Sequence, residues 1–175
     1  MHIDEIIQGC KERNGRAQKK LYDIHASKMM GLCLRYCKDE EEAKDLLQEG
    51  FIKVFEKIST YRGEGSLEGW IKRVFITTAL EKLRKKSLVF ERLTDENLSE
   101  LSPVALDNKL EAKELLQLIR QLPDGYRVVF NLYAIEGFTH VEIAGKLNIS
   151  AGTSKSQYAR ARQHLQKLIT TEKVK

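Results

Sequence analysis

Pro103 and Pro123 are the only prolines in this chain of 175 residues. Proline removes a backbone donor and clashes with the turn before it, so a helix interior tolerates it least of all residues. Everything before Pro103 and after Pro123 is therefore free to be helical, and the apolar residues recur with helical spacing. Leu21, Ile24, His25, Met29, Leu32, Cys33, Tyr36 and Cys37 form one series. Ala43, Leu46, Leu47, Gly50, Phe51, Val54, Phe55 and Ile58 form a clearer one, with Lys44, Asp45, Gln48, Glu49, Lys53 and Glu56 off the stripe. This predicts an amphipathic helix from about Glu41 to Ser59, acidic near its N-terminus where the helix dipole favours acids.

Tyr61-Arg62-Gly63-Glu64-Gly65-Ser66 breaks the pattern, and Ser66 is placed to cap a following helix. Trp70, Ile71, Val74, Phe75, Thr78, Ala79 and Leu83 give that helix an apolar face on which a lone tryptophan reads as core, and Arg84-Lys85-Lys86 closes it with positive charge. From Ser87 to about Asn108 the periodicity dissolves into turn residues, which reads as a linker at 87–108 between a helical domain at 1–86 and another at 109–175. Leu110, Leu115, Leu118, Ile119 and Leu122 resume the helical pattern, and three segments follow: about Tyr126 to Glu136, Thr139 to Leu147, and Gly152 to Ile169. The fold class is thus all-α, two small helical domains joined by a flexible linker.

Charge is unevenly distributed. The net charge is +5, but residues 39–49 hold six acids and one base, residues 62–92 eight bases and four acids, and residues 120–175 nine bases and four acids. Residues 94–114 carry six acids and two bases. Two basic regions separated by an acidic one suit two surfaces that meet nucleic acid, joined by a segment that avoids it. The three cysteines, Cys10, Cys33 and Cys37, form no disulfide framework, and no leader peptide or span of about 20 apolar residues is evident. These features place the chain in a reducing cytoplasm without direct membrane insertion.

The last third carries the most specific local pattern. Thr139-His140-Val141-Glu142 is a capping box, Asn148 stands where a tight turn needs a left-handed residue, and Ser150 can cap the helix that follows. Two short helices around such a turn form a helix-turn-helix, whose second helix enters the major groove. Ser154, Tyr158, Ala161, Leu165 and Leu168 fall on one face of that helix at steps of four, three, four and three. Ser156, Ala159, Arg160 and Gln163 are then expected to point away, flanked by Lys155, Gln157 and Arg162, as groups able to reach base edges and phosphates.

These residues carry a family resemblance. Leu122-Pro123, Arg127-Val128-Val129-Phe130, Glu136-Gly137-Phe138-Thr139, Glu142-Ile143-Ala144, Gly152-Thr153 and Arg160-Ala161-Arg162 resemble the fourth region of extracytoplasmic-function sigma factors, in the sigma-70 family. Ala43-Lys44-Asp45-Leu46-Leu47-Gln48-Glu49-Gly50-Phe51-Ile52-Lys53-Val54-Phe55 is similar to the family's second region. The resemblance implies a sigma factor that directs core RNA polymerase to specific promoters and assists their melting. It implies that Asp45, Gln48 and Glu49 contact the core enzyme, and the helical pattern puts these three on the exposed side. It assigns Arg62, Ser66, Arg73, Thr77, Lys82, Arg84 and Lys85 to the minus-ten element, and Thr153, Lys155, Ser156, Gln157, Arg160 and Gln163 to the minus-thirty-five element. Basic groups would track the single-stranded backbone, and the loop at Gly63–Ser66 would close over an unstacked base. Thr77, Glu81, Leu67 and Ser154 depart from the usual asparagine, aspartate, phenylalanine and valine. An anti-sigma factor is a further implied partner. No cofactor, metal or catalytic role is implied.

Two other classes compete. An enzyme lacks support, since no phosphate loop or paired nucleophile and base is present, although Cys33, Cys37 and His25 at helical spacing form a metal- or oxidation-sensing alternative to plain burial. A repressor acting without polymerase would ordinarily dimerise on paired half-sites, and no long heptad seam is evident.

Overall fold

The structure is a computed structural model that describes residues 2–86 and 111–172. The expected linker at 87–108 lies outside the described residues. The chain divides into two compact units, Met1–Arg84 and Lys85–Lys175, and the described residues contain helices and no strand.

The first unit opens with α1 (Ile3–Lys11), a helix absent from the sequence reading. Its acids, Asp4 and Glu5, lie in the first turn and Lys11 in the last, matching the dipole. The chain then reverses through Arg13, whose φ of 59° is left-handed, and Asn14 caps α2 (Gly15–Tyr36) by accepting from Arg16 N at 2.9 Å and Ala17 N at 3.2 Å. Asp39 caps α3 (Glu40–Lys57), accepting from Glu42 N at 2.8 Å, and the helix tightens into a 3₁₀ turn at Ile58–Thr60. α4 (Leu67–Lys85) begins where Gly69 N donates to Ser66 Oγ at 3.1 Å, the cap the sequence predicts.

Leu21, Leu32, Cys33, Tyr36, Leu46, Val54, Ile58, Ile71 and Phe75 are buried in this unit. Burying each large side chain contributes about 1.5–3 kcal/mol. Phe75 meets Phe51 edge-on at 5.3 Å, and Phe51 lies 4.7 Å from Tyr22. The approach of α4 to α3 is set by Gly50: a β-carbon there would come within 2.4 Å of the Phe75 ring.

The second unit comprises α5 (Ala112–Arg120), α6 (Asp124–Phe130), a π-helical turn at Asn131–Ile135, α7 (His140–Leu147) and α8 (Ala151–Glu172). Leu118, Ile119, Leu122, Phe130, Ala161, Leu165 and Ile169 form its core. Arg127 is buried despite its charge. Its guanidinium donates to Leu122 O at 2.8 Å and Arg120 O at 3.3 Å and pairs with Asp124, tying α5 to α6 around Pro123. The sequence predicts one helix from Tyr126 to Glu136, but its second half widens. Glu136 N bonds to Asn131 O at 2.9 Å, five residues back rather than four.

Candidate nucleic-acid interface

The helix-turn-helix forms as its local chemistry dictates. Thr139 Oγ1 accepts from Glu142 N at 3.2 Å, while the Glu142 carboxylate accepts from Thr139 N at 2.7 Å. That backbone hydrogen bond holds the Glu142 carboxyl below its ordinary value. Asn148 sits at φ 55°, ψ 48°, and its N–H and that of Ile149 return to Ala144 O, closing α7 in the left-handed manner. Ser150 Oγ then accepts from Thr153 N at 2.9 Å and starts α8.

A polar bolt holds α7 to α8. His140 Nδ1 and Ser154 Oγ are 2.9 Å apart, and Ser154 is fully buried. The His140 ring stacks on Tyr133 at 4.2 Å and 11°, and Tyr133 lies 4.5 Å from Tyr158. Burial lowers the His140 pKa, with a smaller push from Lys155. Sequence reasoning missed this role of His140. Its partners, 7 residues before and 14 after, lie on the elements either side of α7 and meet it only after folding.

Of the residues expected on the reading face, Lys155 is exposed, and Thr153, Arg160 and Gln163 are half-exposed. Ser156 and Gln157 are not open: both are about 1% exposed. At 100° per residue Gln157 lies next to Leu168 on the packed arc, which is wider than the five-residue stripe suggests. Ser156 turns its short hydroxyl back onto Thr153 O at 2.9 Å. Arg162 lies 5.9 Å from the Tyr158 ring.

In the first unit Asp45 and Gln48 are exposed on α3, and Glu49 is partly so, 3.8 Å from Lys82 on α4. Arg73, Thr77 and Arg84 fall on one exposed face of α4, within about 40° of each other. Lys82 is turned the other way, toward α3, so the expected minus-ten set is divided. Arg62, Ser66 and Lys85 are exposed, the first two in the loop before α4, where Gly63 and Gly65 have φ of 78° and 88°. Thr77 Oγ1 donates to Arg73 O at 2.9 Å within its own helix. Trp70 departs from the expected core position. It is half-buried, 5.7 Å from Tyr61, whose hydroxyl donates to Gly65 O at 2.9 Å and braces the loop.

The three cysteines are buried, and burial pushes the Cys33 thiol up to about 12, helped by Cys37. A thiol so held stays protonated, which suits packing rather than metal ligation or redox sensing. No helix among the described residues is long and apolar enough to cross a membrane.

Comparison with known proteins places these features in context. Residues 21–89 match the family model for Sigma-70 region 2, and residues 112–165 match that for Sigma-70, region 4. The chain is 30% identical over 189 residues to the RNA polymerase sigma-H factor of Pseudomonas aeruginosa, covering 97% of this chain and 96% of that protein. It is 29% identical over 180 residues to the ECF RNA polymerase sigma factor SigW of Bacillus subtilis, covering 95% and 96%. Among solved structures, the sigma factor RpoE of Bartonella quintana, crystallised with the anti-sigma factor NepR, superposes with a TM-score of 0.53 at 19% identity, over 87% of this chain and 96% of that one. That likeness speaks for the fold.

Proposed function

The chain belongs to the sigma-70 family of RNA polymerase sigma factors, in its extracytoplasmic-function subfamily, and from that premise we propose that it directs core RNA polymerase to specific promoters and assists their opening. The observation that carries this reading is the order of parts: a region 2 match and then a region 4 match, the second containing a helix-turn-helix closed at Asn148.

In this reading the N-terminal domain at 1–86 docks on core polymerase through Asp45, Gln48 and Glu49. Arg62, Arg73, Arg84 and Lys85 track the opened strand near the minus-ten element. Ser66 and Thr77 lie beside them, and Lys82 joins once released from Glu49. The C-terminal domain at 109–175 places α8 in the major groove of the minus-thirty-five element. Lys155 and Arg160 meet phosphates and base edges, and Thr153 and Gln163 lie alongside. Ser156 and Gln157 support the helix rather than read bases. The work is binding, not bond chemistry, and it takes place in the cytoplasm, where polymerase and promoter are. An anti-sigma factor that covers either surface would silence the chain.

The test is reconstitution. Purified chain plus core polymerase is expected to initiate from a defined set of promoters, found by sequencing the transcripts. Tight binding to duplex DNA with no initiation would favour a repressor instead. Arg160→Ala is expected to weaken promoter engagement by about 10-fold with unchanged circular dichroism, the loss of one good base or phosphate contact.

A further inference from the structure

Ser154 puts a hydroxyl at a position that is fully buried, and a buried hydroxyl needs an acceptor for its proton. Among the described residues the one hydrogen-bonding partner of Ser154 Oγ is His140 Nδ1, at 2.9 Å. The Ser154 O–H therefore donates and Nδ1 accepts, which fixes the imidazole as the neutral tautomer with its proton on Nε2. A proton on Nδ1 would reverse the bond. The ring would then donate to Ser154 Oγ, and the hydroxyl proton would be left buried with no acceptor.

The other groups around the ring oppose a charge on it as well. From the π-helical turn, the Tyr133 ring covers one face at 4.2 Å. From α8, Lys155 adds its repulsion to the effect of burial. Tyr158, 6.0 Å away, is kept neutral by its own burial, with Arg162 5.9 Å from its ring. On its own helix His140 is the first residue of α7, where the dipole is positive. The acid nearby, Glu142, already accepts from Thr139 N at 2.7 Å and Thr139 Oγ1 at 2.9 Å.

The bond also stands where it matters for reading. A recognition helix meets bases through its N-terminal turns, and Ser154 is the fourth residue of α8. Thr153 and Lys155, both on the expected reading side, flank it in the chain.

We propose that His140 is a positioning residue for the reading helix, and that engagement of the minus-thirty-five element by α8 requires the ring neutral, with Nδ1 taking the Ser154 hydroxyl proton. This rests on the reading of α8 given above. Protonation undoes the one polar bond that pins the entering end of α8 to α7, and adds a cation between Lys155 and the positive end of α7.

The experiment measures promoter binding by the full chain assembled with core polymerase. The probe is a promoter found by transcript sequencing, either intact or with its minus-thirty-five element scrambled. The readout is the ratio of the two affinities, followed from about pH 7.5 to about pH 5.5, so that protons taken up by the polymerase or by the first unit cancel. For wild type the ratio is expected to fall about 2- to 4-fold over that range. His140→Phe keeps a ring to stack on Tyr133 but orphans the Ser154 hydroxyl, so its ratio should be about 5- to 10-fold lower and flat with pH. His140→Phe combined with Ser154→Ala removes both polar groups and should recover most of the wild-type ratio while staying flat. In the free chain, the His140 ring resonances, assigned by their loss in His140→Phe, should titrate below the ordinary 6.5, and Ser154→Ala should move that titration up.

A wild-type ratio that is flat, or that falls equally in the double variant, overturns the proposal, as does a His140 titration that Ser154→Ala leaves in place. If the intact element is still preferred near pH 7.5 in those cases, the minus-thirty-five reading stands without it. Equal affinities for the two probes at every pH mean that α8 does not read the element, and the positioning role fails with that reading. A ratio that rises on acidification would show the charged ring favouring DNA, and would overturn the requirement for a neutral one.

Discussion

Replacing Gly50 with alanine sets two effects of opposite sign against each other. Within a helix the change ordinarily stabilises by about 1 kcal/mol, because glycine is the more costly residue to order. Here the new methyl would sit 2.4 Å from Phe75 Cε1, 2.6 Å from Cζ and 2.7 Å from Cδ1. Carbon atoms prefer about 3.5–4.0 Å, so something must move by roughly 1 Å. The Phe75 ring has nowhere to go: it is fully buried and held edge-on by Phe51. Overpacking of this kind costs about 1–3 kcal/mol, and so large an overlap belongs at the upper end. After the helical gain is subtracted, the first unit is expected to lose about 1–2 kcal/mol. With a urea slope of roughly 1 kcal/mol/M for a unit of this size, the midpoint falls by about 1–2 M. Trp70 is the only tryptophan in the chain and belongs to the first unit, so its fluorescence follows that unit alone. Adding Phe75→Leu should recover part of the loss. An unchanged or raised midpoint for Gly50→Ala would refute the argument that contact with Phe75 sets the approach of α4 to α3.

Three further outcomes are expected. Both ring nitrogens of His25 are buried without partners, and burial lowers its pKa from the ordinary 6.5, against the pull of Glu68. The unfolded chain takes up this proton near pH 6.5 and the folded chain only at lower pH, so stability of the first unit falls as pH drops through that window. Urea midpoints by Trp70 fluorescence at about pH 7.5 and about pH 5.5 should differ in wild type and converge in His25→Leu; equal wild-type midpoints count against it. Asn148→Ala should cost roughly 1–2 kcal/mol in thermal melts of the second unit followed by circular dichroism, whereas Asn148→Gly should stay near wild type. Thr139→Ala should cost about 1 kcal/mol in the same melts, and no change would mean that α7 does not depend on its cap.

What the sequence made legible is local. Ser66, Thr139, Asn148 and Ser150 each act within three or four residues of themselves, and the structure places each in the capping or turn role its neighbours imply. The stripe from Ala43 to Ile58 was readable because α3 keeps one period throughout. α1 was not, although Ile3, Ile6, Ile7 and Cys10 recur at helical spacing, because a run of nine residues is short enough to pass unnoticed. Trp70 was misplaced because an apolar stripe says which face is inward but not how deeply its edge is covered. Gln157 was misplaced because the packed arc of α8 is set by what surrounds it, not by α8 itself. The His140–Ser154 bolt and the Gly50–Phe75 approach depend on residues 14 and 25 positions apart, which meet only after folding.

The widened turn at Asn131–Ile135 gives the second unit a surplus of one residue. Tyr133 lies in the middle of that turn and is the residue on which His140 stacks, so the aromatic brace of the helix-turn-helix is anchored where the helix is out of step with itself. An ordinary helix punishes a lost residue by turning every later side chain through roughly 100°. At Ala134 a deletion would instead restore the regular spacing, leaving the helix intact and the brace undone. Drift in chain length among descendants of this protein would thus find a tolerant spot for folding that is an intolerant one for holding the reading helix still.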